Sequence, residues 1–168
     1  AMNEKLAGQR IGIVGLGGTG SYILDFVAKT HVKEIHLFDG DKFLQHNAFR
    51  APGAASGEQL KAISPKVEYW AETYSVMRHG VVARPNYLDE SNLDQLTGLD
   101  FVFLCMDPGP EKAHIVAALE VKGLSFIDVG MGLLPYATNN LSGLLRVTTS
   151  TPANRETAHK EIPLQKPS

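Results

Sequence analysis

The chain has one cysteine, Cys105, in 168 residues. A single thiol excludes an intrachain disulfide and a cysteine-rich zinc site, and this usage points to a reducing, cytoplasmic home. Long apolar runs are also missing. Nothing approaches the roughly 20 residues that span a bilayer, so no membrane partner is expected. The opening "AMNEKLAGQR" is too polar for a signal peptide. Its "AM" has the look of an expression remnant, which leaves open that the chain is a fragment of something longer. Neither charge sign dominates: 16 basic against 18 acidic residues give a net charge of −2. That balance argues against a nucleic-acid partner. Six histidines (31, 36, 46, 79, 114 and 159) are scattered with no ligand pair at helical spacing. Surface or locally bonded roles are the expectation for them. The Gly-x-Ser-x-Gly elbow of serine hydrolases does not occur.

Glycine, by contrast, is concentrated. "RIGIVGLGGTGSYI", residues 10–23, holds five glycines in fourteen residues, between an apolar run and an amphipathic one. The rest alternates strand and helix patterns. "RIGIVGL", "EIHLFD", "VVARPNY", "DFVFLCMD", "LSFIDVG" and "LSGLLRVTT" read as strands. Pro85 places the third near an edge, the continuous apolarity of "DFVFLCMD" makes it central, and the last suits an antiparallel strand. Residues 20–29 predict a helix with Tyr22, Ile23, Phe26 and Val27 on its buried face. Ser64 and Pro65 open a second helix with Val67, Trp70, Ala71, Tyr74 and Met77 inside. "GPEKAHIVAALEVKG" predicts a third; shorter helices are expected near 58–63 and over "SNLDQL". This order predicts an α/β fold: a Rossmann-like, doubly wound, mostly parallel sheet with helices on both faces. Residues 1–150 read as one nucleotide-binding domain, and 151–168 as a polar tail or truncated linker.

The glycines have a physical purpose in such a fold. In Gly15-x-Gly17-x-x-Gly20 the first permits a tight turn. The second lets backbone approach phosphate, with Gly18 beside it, and the third lets helix and strand pack closely. The helix N-terminus favours an anion. Asp39 ends the second strand nineteen residues after Gly20, where a carboxylate accepts hydrogen bonds from ribose hydroxyls. NAD is the default ligand of this pattern. The following "DGDKFLQHNAFR" argues for a triphosphate instead, because it places Asp41, Asn47 and Arg50 beside the ribose carboxylate. Lys66, opening the next helix, adds a positive group, and Lys61 competes for that role. Asp107 ends the central strand at the edge where open sheets bind ligands. It is a candidate magnesium ligand, with a helix cap as the alternative.

In order, "GLGGTGS", "DGD", "NAFR", "PKVEYWAE" and "CMD" resemble the run of motifs in the ThiF/MoeB family of ubiquitin-activating-enzyme-like adenylyltransferases. The wording "DGD...NAFR" and "IDVGMGL" is most similar to bacterial ThiF-type members. The resemblance spans about residues 8–148. It implies ATP and Mg2+ as cofactors, with Asp39 on the ribose and Asn47, Arg50 and Lys66 around the phosphates. Asp107 would sit at the metal and Asp41 would match the motif. It further implies adenylation of the C-terminal carboxylate of a ubiquitin-like or sulfur-carrier protein, catalysed through Arg50, Lys66 and Asp107. Conjugating-enzyme-like and JAB-peptidase-like partners and a homodimer follow from the same likeness. Three departures stand out. Ala51 replaces the family's usual Gln after Arg50, the Cys-x-x-Cys zinc pairs are absent, and no cysteine lies downstream of Asp107. Cys105 itself reads as buried strand. Two other readings stay open: a non-catalytic nucleotide-binding and dimerisation module, and an NAD-dependent oxidoreductase.

Overall fold

A computed structural model describes residues 2–136 and 140–165. Alternation of short β-branched runs with amphipathic ones builds a six-stranded sheet. Its strands are β1 (Arg10–Val14), β2 (Glu34–Phe38), β3 (Val81–Arg84), β4 (Phe101–Leu104), β5 (Ser125–Tyr136) and β6 (Asn140–Ser150). The order is β3-β2-β1-β4-β5-β6; β6 is antiparallel to β5 and every other neighbour is parallel. β3 stops at Arg84, just before Pro85, and forms the edge. β4 lies inside the sheet as its apolar run predicts, although it is only four residues long. The chain winds outward from β1 to β3 and then returns to β4 on the other side of β1. The crevice at that reversal, at the carboxyl ends of β1 and β4, is where ligands bind in this architecture.

Alternate strand residues feed two cores. On one face α2 (Gly18–Ala28) and α5 (Lys66–Ser75) cover Ile11, Ile13, Ile35 and Leu37 with Leu24, Val67 and Trp70. On the other α6 (Pro110–Val121) sets Ile115, Val116 and Leu119 against Val14, Phe38, Val102, Leu104 and Phe126. The remaining helices are short: α1 (Met2–Leu6), α3 (Gln45–Ala48), α4 (Gly57–Ala62), α7 (Arg155–Glu161) and a 3-10 turn over Leu93–Leu96.

The buried face of α2 differs from the expectation. Gly20, Ser21, Leu24 and Ala28 are inside, whereas Tyr22 and Phe26 are 47% and 70% exposed. The helix approaches the sheet so closely that a Cβ on Gly20 would lie 1.8 Å from the Gly15 carbonyl oxygen. Small residues therefore take much of the inner face and Tyr22 and Phe26 are turned out, while Ile23 and Val27 are half-buried against the core as expected. Met77 is also exposed, because α5 ends at Ser75 before reaching it. The segment after Thr151, read as a polar tail, contains α7, with Ala158 and Ile162 buried. Arg155 fastens it, donating to the Leu124 carbonyl at 2.9 Å and lying 5.6 Å from the centre of the Phe126 ring.

β5 and β6 extend well past the carboxyl end of β4 as a paired ribbon. Val129 pairs with Val147 and Met131 with Leu145. These residues point to the α2 side of the sheet. There Met131, Leu133, Leu145 and Val147 are all more than half exposed, and Met131 lines the same cleft as the outward Phe26.

Candidate functional site

The glycine turn is built by close backbone approach. Gly15 has φ +88°, and a side chain there would put Cβ 2.4 Å from the Cys105 carbonyl oxygen. Its N–H donates to the Phe38 carbonyl at 2.8 Å, tying the loop to β2. Gly17 is the N-cap of α2 and faces open space. Asp39 is 8% exposed and rigidly aimed: Leu16 N–H donates to Oδ2 at 2.7 Å and Asp41 N–H to Oδ1 at 2.8 Å. The carboxylate thus reaches the turn from the neighbouring strand end, with lone pairs left for further donors.

Lys66 begins α5, where the helix dipole disfavours a cation. Two carboxylates offset that cost: its Nζ lies 2.7 Å from Asp41 Oδ2 and 3.6 Å from Asp39 Oδ2. The Tyr87 hydroxyl donates to the second Asp41 oxygen, and its ring covers Gly40, where a Cβ would meet it at 2.5 Å. The Lys66 ammonium, then the Tyr87 hydroxyl, hold the Asp41 carboxyl below its ordinary 3.8; Tyr87 in turn is pushed up to about 12 by Asp41. A depressed carboxyl contributes stability above its ordinary pKa and loses that contribution as pH falls through the depressed value. Asp41→Asn is therefore expected to be less stable than the parent near neutrality. The gap should close as the pH drops below 3.8, measured by acid titration of the fluorescence of the sole tryptophan, Trp70.

One open cleft of about 1,820 Å³ gathers most of the sequence-predicted residues. Gly15, Gly17, Gly18, Asp39, Asp41, Arg50, Lys66 and Asp107 all line it. The aliphatic stem of Arg50 lies over Gly18. Asp107 is exposed at the carboxyl end of β4, and the α6 N-cap is Gly109 with no side-chain capping bond. Lys61 is exposed in the last turn of α4 and is not part of the lining, whereas Lys66 is. Asn47 is also outside the lining. It is buried, its Oδ1 accepting from Leu44 N–H at 2.9 Å to close α3. Gly20 lies behind the turn, against Gly15.

Sequence reasoning missed four residues. Tyr87 carries only a weak signal, an aromatic after a strand end. Lys112, Asp128 and Arg146 form a buried ion cluster (described below). A lone Asp inside the apolar "FIDVG" was the available clue to it.

Cys105 also lines the cleft, yet burial, and next the neighbouring Asp128, push its thiol up to about 12, with Lys112 pulling the other way. At pH 8 that lowers the thiolate fraction roughly 1,000-fold relative to an ordinary cysteine. The native chain should react with a disulfide reagent at least 100 times slower than the urea-unfolded chain, about a tenth of that ratio. Equal rates would show that the Cys105 thiol is not suppressed in the folded chain.

The fold and cleft define a Rossmann-like protein with a glycine turn and, on the cleft walls, the buried Asp39 with Arg50, Lys66 and Asp107. The pattern of the ThiF family matches residues 1–158, and the chain belongs to that family. It is 26% identical over 157 residues to ubiquitin-like modifier-activating enzyme 5 of Branchiostoma floridae, covering 86% of this chain and 37% of that protein. The Drosophila melanogaster protein of the same name is 27% identical over 141 residues, covering 76% and 34%. The chain therefore spans little more than a third of the relatives it matches. Among solved structures, E. coli tRNA N6-threonylcarbamoyladenosine dehydratase TcdA in complex with AMP superposes with a TM-score of 0.68 at 21% identity, covering 81% of this chain and 60% of that one. E. coli MccB with succinimide gives 0.70 at 17%, covering 90% and 43%.

Proposed function

We propose that the chain is an ATP-dependent adenylation domain that activates the C-terminal carboxylate of a ubiquitin-like or sulfur-carrier protein. The observation that carries this reading is the shared cleft at the sheet's switch point, with the glycine turn, Asp39, Lys66, Arg50 and Asp107 on its walls. Support comes from TcdA solved with ATP, from MccB solved with AMPCPP and MccA, and from the name carried by the sequence relatives.

In this reading Asp39 accepts from the ribose hydroxyls and the free N–H groups at the start of α2 receive phosphate. Lys66 exchanges Asp41 for a phosphate oxygen. The incoming carboxylate oxygen bonds to the α-phosphorus, and the bond to the pyrophosphate oxygen breaks. Arg50 and Lys66 neutralise charge that develops on the phosphate oxygens. Asp107, one exposed carboxylate on the phosphate side of the cleft, suits magnesium, which is commonly held by one or two carboxylates plus phosphate oxygens. When bound, the ion would neutralise charge on the departing pyrophosphate. Asn47, the buried residue of α3, serves by holding the loop that carries Arg50. Among the described residues no helix is long and apolar enough to cross a membrane; we place the protein in the cytoplasm on its cysteine usage.

The uncovered apolar face of α2 and the β5–β6 ribbon supports a homodimer. Light scattering should give twice the chain mass, and Leu145→Asp should return the monomer. Conjugating-enzyme-like and JAB-peptidase-like proteins are the further partners we propose. The central reading is tested by thermal shift. ATP with magnesium should raise the melting temperature by ligand linkage, and pyrophosphate exchange should depend on a carboxylate-bearing partner. Stabilisation by NAD at lower concentration than ATP would overturn it.

A further inference from the structure

Behind the proposed phosphate site lies an ion cluster with no place in the mechanism above. Asp128, in β5, is fully buried. Lys112, in the first turn of α6, is 1% exposed, with Nζ 2.6 Å from Asp128 Oδ1. Arg146, across the ribbon on β6, donates from Nη2 to Asp128 Oδ2 at 2.6 Å. Two cations share one anion, so the cluster carries a surplus positive charge. A lysine near a helix N-terminus opposes the helix dipole, and a buried ion pair is a weak source of stability. Stability alone is therefore a poor reason for this arrangement.

Only Arg146 is accessible. About a third of its side chain is exposed, and it lines the same cleft as Gly17 and Asp107. Its Nε has no hydrogen-bond partner among the described residues. The site is made for that guanidinium: Arg146 pairs with Gly130, and a Cβ there would lie 2.7 Å from Nη2. Register fixes its height. Val14, Leu104 and Asp128 lie side by side, so Gly130 stands two residues above them, level with Met106 and Leu16. The guanidinium thus lies just above the carboxyl ends of the strands. It is about 5 Å, one strand spacing, from the β4 line that ends in Asp107, and about 10 Å from the glycine turn on β1.

We infer that Arg146 is the recognition residue for the substrate carboxylate, held in place by Asp128 and Lys112. This rests on the adenylation reading and adds the side from which the acyl group enters. Anion recognition at this point has two possible sources, a phosphate of the nucleotide or the carboxylate of the acyl substrate. Phosphates have the glycine turn, Arg50 and Lys66 on the β1–β2 side. Arg146 comes from the opposite wall, on the same ribbon face as the apolar Leu144, in a cleft that Val129 and Met131 also line from the other face, which suits an extended peptide tail. A guanidinium also matches a carboxylate as a two-pronged donor.

The test uses the full chain and glycylglycine as the probe. The Arg146 Nε–Hε resonance is assigned by its loss in Arg146→Gln. Glycylglycine should shift it saturably; glycylglycinamide, lacking the carboxylate, should not, and ATP should shift it less than a third as far. Arg146→Gln should bind glycylglycine at least ten-fold more weakly and keep its ATP-induced thermal shift. Gly130→Ala, which displaces the guanidinium, should weaken the dipeptide in the same direction. An amide that works as well as the acid, ATP or pyrophosphate moving the resonance further than the dipeptide, or undiminished binding by Arg146→Gln would each overturn the inference. A parent chain that binds no ATP defeats the adenylation reading, whatever the dipeptide does. A chain that binds ATP while Arg146 ignores glycylglycine defeats this inference alone.

Discussion

Lys112→Met should destabilise the protein by about 3–5 kcal/mol, the cost of leaving one member of a buried pair without its partner. Lys112 is 1% exposed, Asp128 is fully buried, and their charged atoms are 2.6 Å apart. Without the ammonium, Asp128 keeps only Arg146, and its buried Oδ1 loses its cation. At a few degrees per kcal/mol for a chain of this size, the melting temperature should fall by roughly 10 °C. The double variant Lys112→Met with Asp128→Leu removes both charges and should return to within about 2 kcal/mol of the parent. Urea unfolding followed through Trp70, itself 1% exposed, reads both variants. Additive losses in the double variant would show that the pair is not coupled.

Two glycines three residues apart, Gly17 and Gly20, should behave in opposite ways when changed to alanine. A Cβ on Gly20 would sit 1.8 Å from the Gly15 oxygen and 3.3 Å from Cys105 Cβ, and neither the Gly15 backbone nor a Cβ is a flexible end that can yield. Gly20→Ala should force α2 off β1, lower stability by about 3 kcal/mol or more, and remove ATP binding with it. Gly17 meets nothing within 4 Å and has φ −76°. Gly17→Ala should fold with an unchanged melting temperature, yet its methyl would occupy the space that phosphate needs. ATP should then bind at least ten-fold more weakly. Thermal scans with and without ATP separate the two cases, and a Gly17→Ala chain with the parent's ATP shift would remove the turn from the nucleotide site.

The alternation of strand and helix was legible because each run is short and bounded by glycine, proline or a capping residue. Pro85 marked the edge strand, and "DFVFLCMD" marked an inner one. The helix faces were less legible. Tyr22 and Phe26 look like core by periodicity, but the close approach that Gly20 allows gives the inner face to Ser21 and Ala28. The short α7 was hidden by its charged residues, since only Ala158 and Ile162 are buried there. In the site, Lys66 could be ranked above Lys61 only weakly from the helix that follows it. Asn47 reads as a phosphate donor in sequence; that its Oδ1 also accepts from Leu44 N–H to close α3 was not legible there. The Lys112–Asp128–Arg146 cluster joins three elements, and no local pattern announces a contact of that kind.

The β1–β4 pairing has a consequence for the order of assembly. Ile11 lies beside Phe101, ninety residues away in the chain, and the Cys105 carbonyl closes over Gly15. Closing a loop of that length costs about 4 kcal/mol of chain entropy before any strand contact compensates for it. Topologies governed by such distant pairings fold slowly. The glycine turn leaves the ribosome long before Asp107 does, so a nascent chain has half a cleft and nothing with which to complete it. Nucleotide can therefore trap the finished sheet but has no grip on the slow step that makes it, and refolding with ATP present should proceed at the rate seen without it.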